Sequence, residues 1–293
     1  METFKAILFP VLIAGGIALF FGLLLAIASK VFAVRRDERI DEVKKCLPGA
    51  NCGGCGFAGC DALAEAIVNQ GVSPTKCAVS EPEALKPIYE IMGVKEEKHQ
   101  RMRAQVMCSG TGDLSKKKYL YEGAHDCVAA AKLGGGDRIC PNGCIGLGTC
   151  ASRCPFHAIK VVDGVAVVDY TLCRGCGVCV AACPKHIIKL IPFESKHWVG
   201  CMSVDKGPIT KSYCDVGCIS CRLCEKNCPV GAITVNDFVA RIDNDKCIGC
   251  DTCVKKCPRK IIWSSESQNG RLVIHRAMLN EPQVPTPPAP EKK

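Results

Sequence analysis

The sequence predicts an α+β chain in which one apolar N-terminal helix precedes a small cysteine-rich domain and two copies of a compact unit. Three observations predict it. Residues 6–29, AILFPVLIAGGIALFFGLLLAIAS, contain no charged side chain. The 293 residues include 25 cysteines, a density that means disulfides in a small secreted chain and metal in one this long. From Cys127 onward the cysteines repeat at an offset of 74 residues, as from Cys150 to Cys224, and such a repeat marks a duplicated unit.

The uncharged stretch is long enough to cross a bilayer as a helix. Pro10 near its start and the pair Gly15-Gly16 are tolerable in a membrane span. A secretory signal is the alternative, because AIAS resembles a cleavage site. The apolar run is longer than such signals use, and Glu2 offsets Lys5 ahead of it. Lys30, Arg35 and Arg36 follow at once, and the positive-inside rule then puts everything downstream in the cytoplasm. Residues 1–30 are therefore expected to be a single-pass anchor in the cell's inner (cytoplasmic) membrane.

The chemistry lies in stretches such as CIGCDTCVKKCP, residues 247–258. A C-x2-C-x2-C loop offers three thiolates to one [4Fe–4S] cluster, and the cysteine before proline binds a second cluster. A small residue such as Gly249 lets backbone N–H groups turn toward the sulfurs. Zinc sites pair two short Cys hairpins, without the third cysteine or the Cys-Pro.

Read this way, residues 127–193 and 194–265 are two ferredoxin-like modules of βαββαβ type, each holding two clusters. Site 4 takes Cys218, Cys221, Cys224 and Cys257, and site 5 takes Cys228, Cys247, Cys250 and Cys253. Site 3 takes Cys154, Cys173, Cys176 and Cys179. Site 2 has Cys144, Cys150 and Cys183, but the equivalent of Cys221 is Leu147. Cys140 is nearest in sequence and is expected to complete it. In each copy an apolar stretch follows the Cys-Pro, and Asp163-Gly164 marks a hairpin turn in the first.

Ahead of the modules, residues 31–90 carry a different spacing, C-x2-C-x4-C-x16-C. Cys52, Cys55, Cys60 and Cys77 are expected to bind one cluster as site 1. The segment DALAEAIVNQG reads as a helix that Gly71 stops, bringing the chain round to Cys77. Five clusters follow. The remaining cysteines, Cys108, Cys127, Cys201 and Cys214, are the right number for a sixth, with buried free thiols as the alternative. Cys46 is left as a bystander.

Residues 91–126 read as a connecting segment and residues 266–293 as an extended, Pro-rich tail. SGTGDLSKKK does not match a phosphate-binding loop, and no dinucleotide fingerprint or hydrolytic triad is present. No flavin or NAD is expected on this chain. His125, His157 and His186 read as surface or supporting residues. The net charge of +9 could point to nucleic acid. A cluster with its four thiolates carries about −2, however, so five would leave the loaded chain near neutral. The basic residues are expected to balance clusters or to meet an acidic protein.

These parts, in this order, resemble one family. The apolar span, CGGCGFAGC, and the runs CRGCGVCVAACP, CISCRLCEKNCP and CIGCDTCVKKCP are similar to the B subunit of the Rnf ion-translocating ferredoxin:NAD oxidoreductase complex, in its long, cluster-rich form. The resemblance covers nearly the whole chain. It implies soluble reduced ferredoxin as donor, other membrane and flavin-bearing subunits as partners, and NAD reduction coupled to export of Na⁺ or H⁺. Such a chain is one component of a translocating oxidoreductase, with no substrate chemistry of its own. Leu147 departs from the pattern. Two other readings are an anchored electron-transfer subunit of a different cytoplasmic reductase or redox-sensor-reducing complex, and a structural membrane adaptor with clusters as folding staples.

Overall fold

A computed structural model describes residues 2–31, with side chains from Ile13 to Lys30, and residues 37–264. The expected tail, 266–293, lies outside the described residues. Helix α1 (Glu2–Val31) is one continuous apolar rod. Its window Ile13–Lys30 has a mean hydropathy of 2.0 and no part buried against the protein. Such a helix satisfies its backbone internally and leaves apolar side chains on every face, which suits lipid. It is long and apolar enough to cross a membrane.

Three helices then form a small domain. Helix α2 (Glu38–Cys46) starts at Asp37, whose carboxylate accepts from the Arg39 N–H at 3.0 Å, and it carries Lys44 and Lys45 in its last turn. Ile40, Val43 and Leu47 make one apolar face. That face packs on Leu63 and Ile67 of α3 (Cys60–Gln70) and on Leu85 and Ile88 of α4 (Pro82–Met92). Each of the latter helices ends in a left-handed glycine, Gly71 and Gly93, which closes the last turn without strain.

The remainder is built twice from two-stranded antiparallel sheets. The first unit pairs β1 (Met102–Val106) with β4 (Ile188–Pro192), and β2 (Ile159–Val162) with β3 (Val165–Val168). The second pairs β5 (His197–Val199) with β8 (Ile262–Ser264), and β6 (Ile233–Asn236) with β7 (Val239–Ile242). Short helices carry the cysteine loops: α5 (Cys127–Lys132), α6 (Thr149–Ser152) and α7 (Val178–Ala182) in the first unit. Their successors are α8 (Gly207–Tyr213), α9 (Leu223–Lys226) and α10 (Thr252–Lys256). Asp163 and Gly164, both at positive φ, make the β2–β3 turn, the hairpin geometry that follows strand twist.

Strand β1 falls inside the stretch read from sequence as a connection. It pairs with β4 from Met102↔Pro192 to Val106↔Ile188, so it is structurally part of the first unit. The sequence hides it because Arg103 and Gln105 are buried there, at 2% and 7% exposure, which spoils the apolar alternation. The guanidinium of Arg103 lies 3.9 Å over Tyr170 and 5.0 Å from the Trp198 ring, and it donates to the Ser195 carbonyl at 2.9 Å. Gln105 accepts from the Tyr170 hydroxyl. Tyr170 and Trp198 meet edge to face, with centroids 6.1 Å apart.

These contacts fasten the first unit to β5 of the second. Trp198→Ala removes the buried ring that joins them and is expected to destabilise the protein by about 3–5 kcal/mol. An earlier guanidinium midpoint in anaerobic unfolding followed by circular dichroism checks it.

Candidate metal centres

Cys52, Cys55, Cys60 and Cys77 line one pocket. Cys60 opens α3, and its N–H donates to the Asn51 side chain at 2.8 Å, which closes the loop. Cys154, Cys173, Cys176 and Cys179 line a second. Cys218, Cys221, Cys224 and Cys257 line a third. Around Cys253, the thiols of Cys247 and Cys250 are close enough to raise its pKa, and Cys228 packs into the same core.

The structure groups two cysteines differently from the sequence reading. Cys140 is brought together with Cys108, Cys201 and Cys214 around one pocket. Cys127 stands instead with Cys144 and Cys150, and Cys183 completes the surroundings of Cys150. The chain reaches that place through Asp126. Its carboxylate accepts from the Ala129 N–H and the Thr149 hydroxyl, while the Cys127 N–H donates to Thr149 Oγ1 at 2.7 Å. Thr149 neighbours Cys150, so one polar clip sets both cysteines. Leu147 packs against the small core of Cys127, Ala130 and Ile145.

The cause is an insertion. Val106 faces Ile188 as Val199 faces Ile262, which makes Cys108 the counterpart of Cys201 at an offset of 93 residues rather than 74. The extra residues lie between Cys108 and Cys140, and Cys127 is among them. Cys108 with Cys201, and Cys140 with Cys214, are thus two equivalent pairs, one from each unit. The only sequence signal was the short match of Val106-Met107-Cys108 to Val199-Gly200-Cys201.

Burial dominates the electrostatics. It pushes the thiols of Cys144, Cys150, Cys201 and Cys224 up to about 12, and those of Cys140 and Cys253 to about 11, with neighbouring thiols adding to the rise. Thiolates could persist here only with cations among them. Backbone donors are already aimed at sulfur. The N–H groups of Ala158 and Ala232 reach Cys154 and Cys228 at 3.4 and 3.3 Å, and that of Ala166 reaches Cys144 at 3.5 Å.

All 25 cysteines are free of disulfides. Among the described residues, no three Cys, His, Asp or Glu side chains close on the point that a single ion needs. Thiolates on one tetrahedral zinc would stand about 3.8 Å apart. Spread quartets around cavities, with N–H groups on the sulfurs, suit a polynuclear iron–sulfur cluster better.

The quartets also touch one another in series. Cys176 of site 3 forms part of the wall of site 1, and a Cβ at Gly54 would run into the Cys176 carbonyl. Cys150 and Cys179 are electrostatic neighbours. The Cys144 N–H donates to Cys108 Sγ at 3.4 Å, and the Cys218 N–H donates to Cys201 Sγ at 3.3 Å. The Cys108–Cys201 quartet is therefore bonded symmetrically to both units. Cys221 and Cys250 are exposed, unlike most of the others.

Comparisons agree with this chemistry. Residues 47–79 match the Fe-S cluster family, residues 166–189 the 4Fe-4S binding domain and residues 217–261 the 4Fe-4S dicluster domain. The B subunit of the ion-translocating oxidoreductase complex of Methanosarcina acetivorans is 46% identical over 80% of this chain and 89% of its own length. The chain belongs to this family of B subunits.

The B subunit of the Na(+)-translocating ferredoxin:NAD(+) oxidoreductase complex of Acetobacterium woodii is 45% identical, over 83% of this chain and 73% of that protein. The proton-translocating counterpart from Clostridium ljungdahlii is 41% identical, over 78% and 81%. As a member of this family with iron–sulfur domains, the chain is an electron-transfer subunit of an oxidoreductase complex.

Cys46 packs in the N-terminal core outside every quartet. Cys46→Ser is expected to leave the iron content of anaerobically purified protein unchanged, measured by colorimetric iron assay. Gly54→Val is expected to keep the iron as well, yet slow electron exchange between the N-terminal domain and the rest, read by freeze-quench EPR.

Proposed function

We propose that this subunit takes electrons from a soluble reduced ferredoxin and relays them to flavin-bearing membrane subunits of an ion-translocating ferredoxin:NAD(+) oxidoreductase. The observation that carries the reading is the succession of cysteine quartets from site 1 through sites 3, 2 and 6 to site 4, each sharing a wall, a neighbouring thiol or an N–H···S bond with the next, while cysteines of sites 4 and 5 pack in one core. Bound in them, [4Fe–4S] clusters would supply one-electron carriers. Six are proposed. Site 1 is held by Cys52, Cys55, Cys60 and Cys77, site 3 by Cys154, Cys173, Cys176 and Cys179. Sites 4 and 5 keep the ligands expected from spacing. Site 2 takes Cys127, Cys144, Cys150 and Cys183, and site 6 takes Cys108, Cys140, Cys201 and Cys214. In this reading the first ferredoxin-like unit begins at β1.

Helix α1 anchors the chain, and Lys30, Arg35 and Arg36 favour a cytoplasmic position for all that follows. The link 32–36 can extend no more than about 20 Å, so site 1 is the membrane-proximal end. Site 5 is the opposite end of the series. There Cys250 is exposed, Ile248 is 59% exposed and Lys255 and Lys256 are exposed on α10. A basic rim around an exposed ligand and one apolar contact fits an acidic electron donor.

The test is a tagged pull-down from gently solubilised anaerobic membranes, assayed for NAD reduction by reduced ferredoxin. A flavin-containing complex with that activity supports the proposal, and copurification with another reductase lacking it refutes it. Loaded protein is expected to hold about 24 irons per chain. Cys127→Ala and Cys140→Ala are expected to alter two different EPR signals. Lys255→Glu with Lys256→Glu is expected to slow reduction by ferredoxin about tenfold at low ionic strength, while reduction by dithionite keeps its rate.

A further inference from the structure

Because β1 and β5 share a register, Ala104 opposite Leu190 corresponds to His197 opposite Ser264. In the first unit the backbone N–H of Ala104 donates to Cys173 Sγ at 3.4 Å. In the second, a buried imidazole stands at that position. His197 Nδ1 lies 3.7 Å from Cys247 Sγ, and its Nε2 lies 2.6 Å from the Asp251 carboxylate. Ser264 also bonds to that carboxylate. The counterpart of Asp251 at the 74-residue offset is Gly177. The imidazole and its carboxylate are therefore present together in one unit, and both are replaced in the other.

The backbone supports a purpose for the pair. Asp251 has a φ of 56° and Gly177 one of 79°. Glycine adopts that conformation freely, whereas aspartate takes it at some cost. Asp251 sits at the N-cap of α10, yet its side chain makes no capping bond there. The carboxylate is directed to His197 instead.

We propose that His197, oriented by Asp251, donates an N–H···S hydrogen bond to the Cys247 thiolate and raises the reduction potential of site 5. The inference rests on the reading of Cys247 as a cluster ligand. The ring bridges the carboxylate and the sulfur, with one nitrogen within hydrogen-bond reach of each. Reduction adds negative charge that the sulfurs share, and a donor on one of them stabilises the reduced state. Site 5 is the site proposed above to meet the outside donor, with Cys250 exposed, and a raised potential there favours electron capture. His197 is a positioning residue that acts through sulfur.

The test is an anaerobic potentiometric titration of the full-length protein in detergent, followed by EPR, with the site 5 signal identified by its perturbation in Cys250→Ser. His197→Ala combined with Asp251→Gly installs the first unit's pair in the second. The expected result is a negative shift of that one signal, with the other signals and the iron content unchanged, and partial recovery in His197→Gln. An unmoved or positively shifted signal at full iron content overturns the proposal. If His197→Ala loses iron, Asp251→Gly decides: a smaller negative shift supports the proposal, and no shift ends it. A Cys247→Ala variant that keeps its iron and every signal would instead remove the ligand reading, and the proposal with it.

Discussion

Buried sulfur charge is the constraint on which the rest of this structure depends. Thiols such as Cys144, Cys150 and Cys201 are so enclosed that burial and neighbouring thiols push them up to about 12. As bare thiolates they would be poorly solvated and would repel one another. Iron removes that conflict by spreading the charge over a cluster, and the free energy of binding then becomes free energy of folding. The cores are correspondingly modest. The N-terminal domain closes on about ten buried residues from three short helices, and the second unit closes partly on its own cysteines. Six loaded sites would also turn the formal +9 slightly negative, at about −2 per site.

The duplicated units differ in which cysteines the fold brings to one of the quartets. Leu147 stands where its counterpart is Cys221, a change that alone would open site 2. The insertion between Cys108 and Cys140 carries Cys127 to the same place, held by the Asp126–Thr149 clip. Cys140 is then left to match Cys214, its partner by repeat. The quartet between the units is nearly symmetric, two cysteines from each, with N–H donors from Cys144 and Cys218. The aromatic and guanidinium contacts of Arg103, Tyr170 and Trp198 hold the same seam from its other side.

The symmetry makes its exceptions informative. Where the two units agree, the shared feature belongs to the framework, as with the N–H groups of Ala158 and Ala232 on equivalent sulfurs. Where they differ at a buried position beside sulfur, as at Ala104 and His197, the difference bears on what each site does. Local charge and hydrogen bonding are the main means by which a protein sets the potential of a cofactor whose chemistry is otherwise the same.

Much of this protein was legible in the sequence, because the governing signals are local. An uncharged run long enough for a bilayer, a glycine ending a helix, and cysteines three residues apart before a proline each act within a few turns of chain. The 74-residue repeat followed from comparing such runs. Strand β1 was not legible, since its Arg103 and Gln105 are buried under aromatic rings that lie far away in sequence. Nor was the exchange of Cys127 and Cys140. Sequence spacing ranks cysteines by distance along the chain, whereas a cluster site is defined by which thiols converge in space. An insertion separates those two measures, and the placement of Cys127 beside Cys144 and Cys150 appears only once β1 is packed against β4.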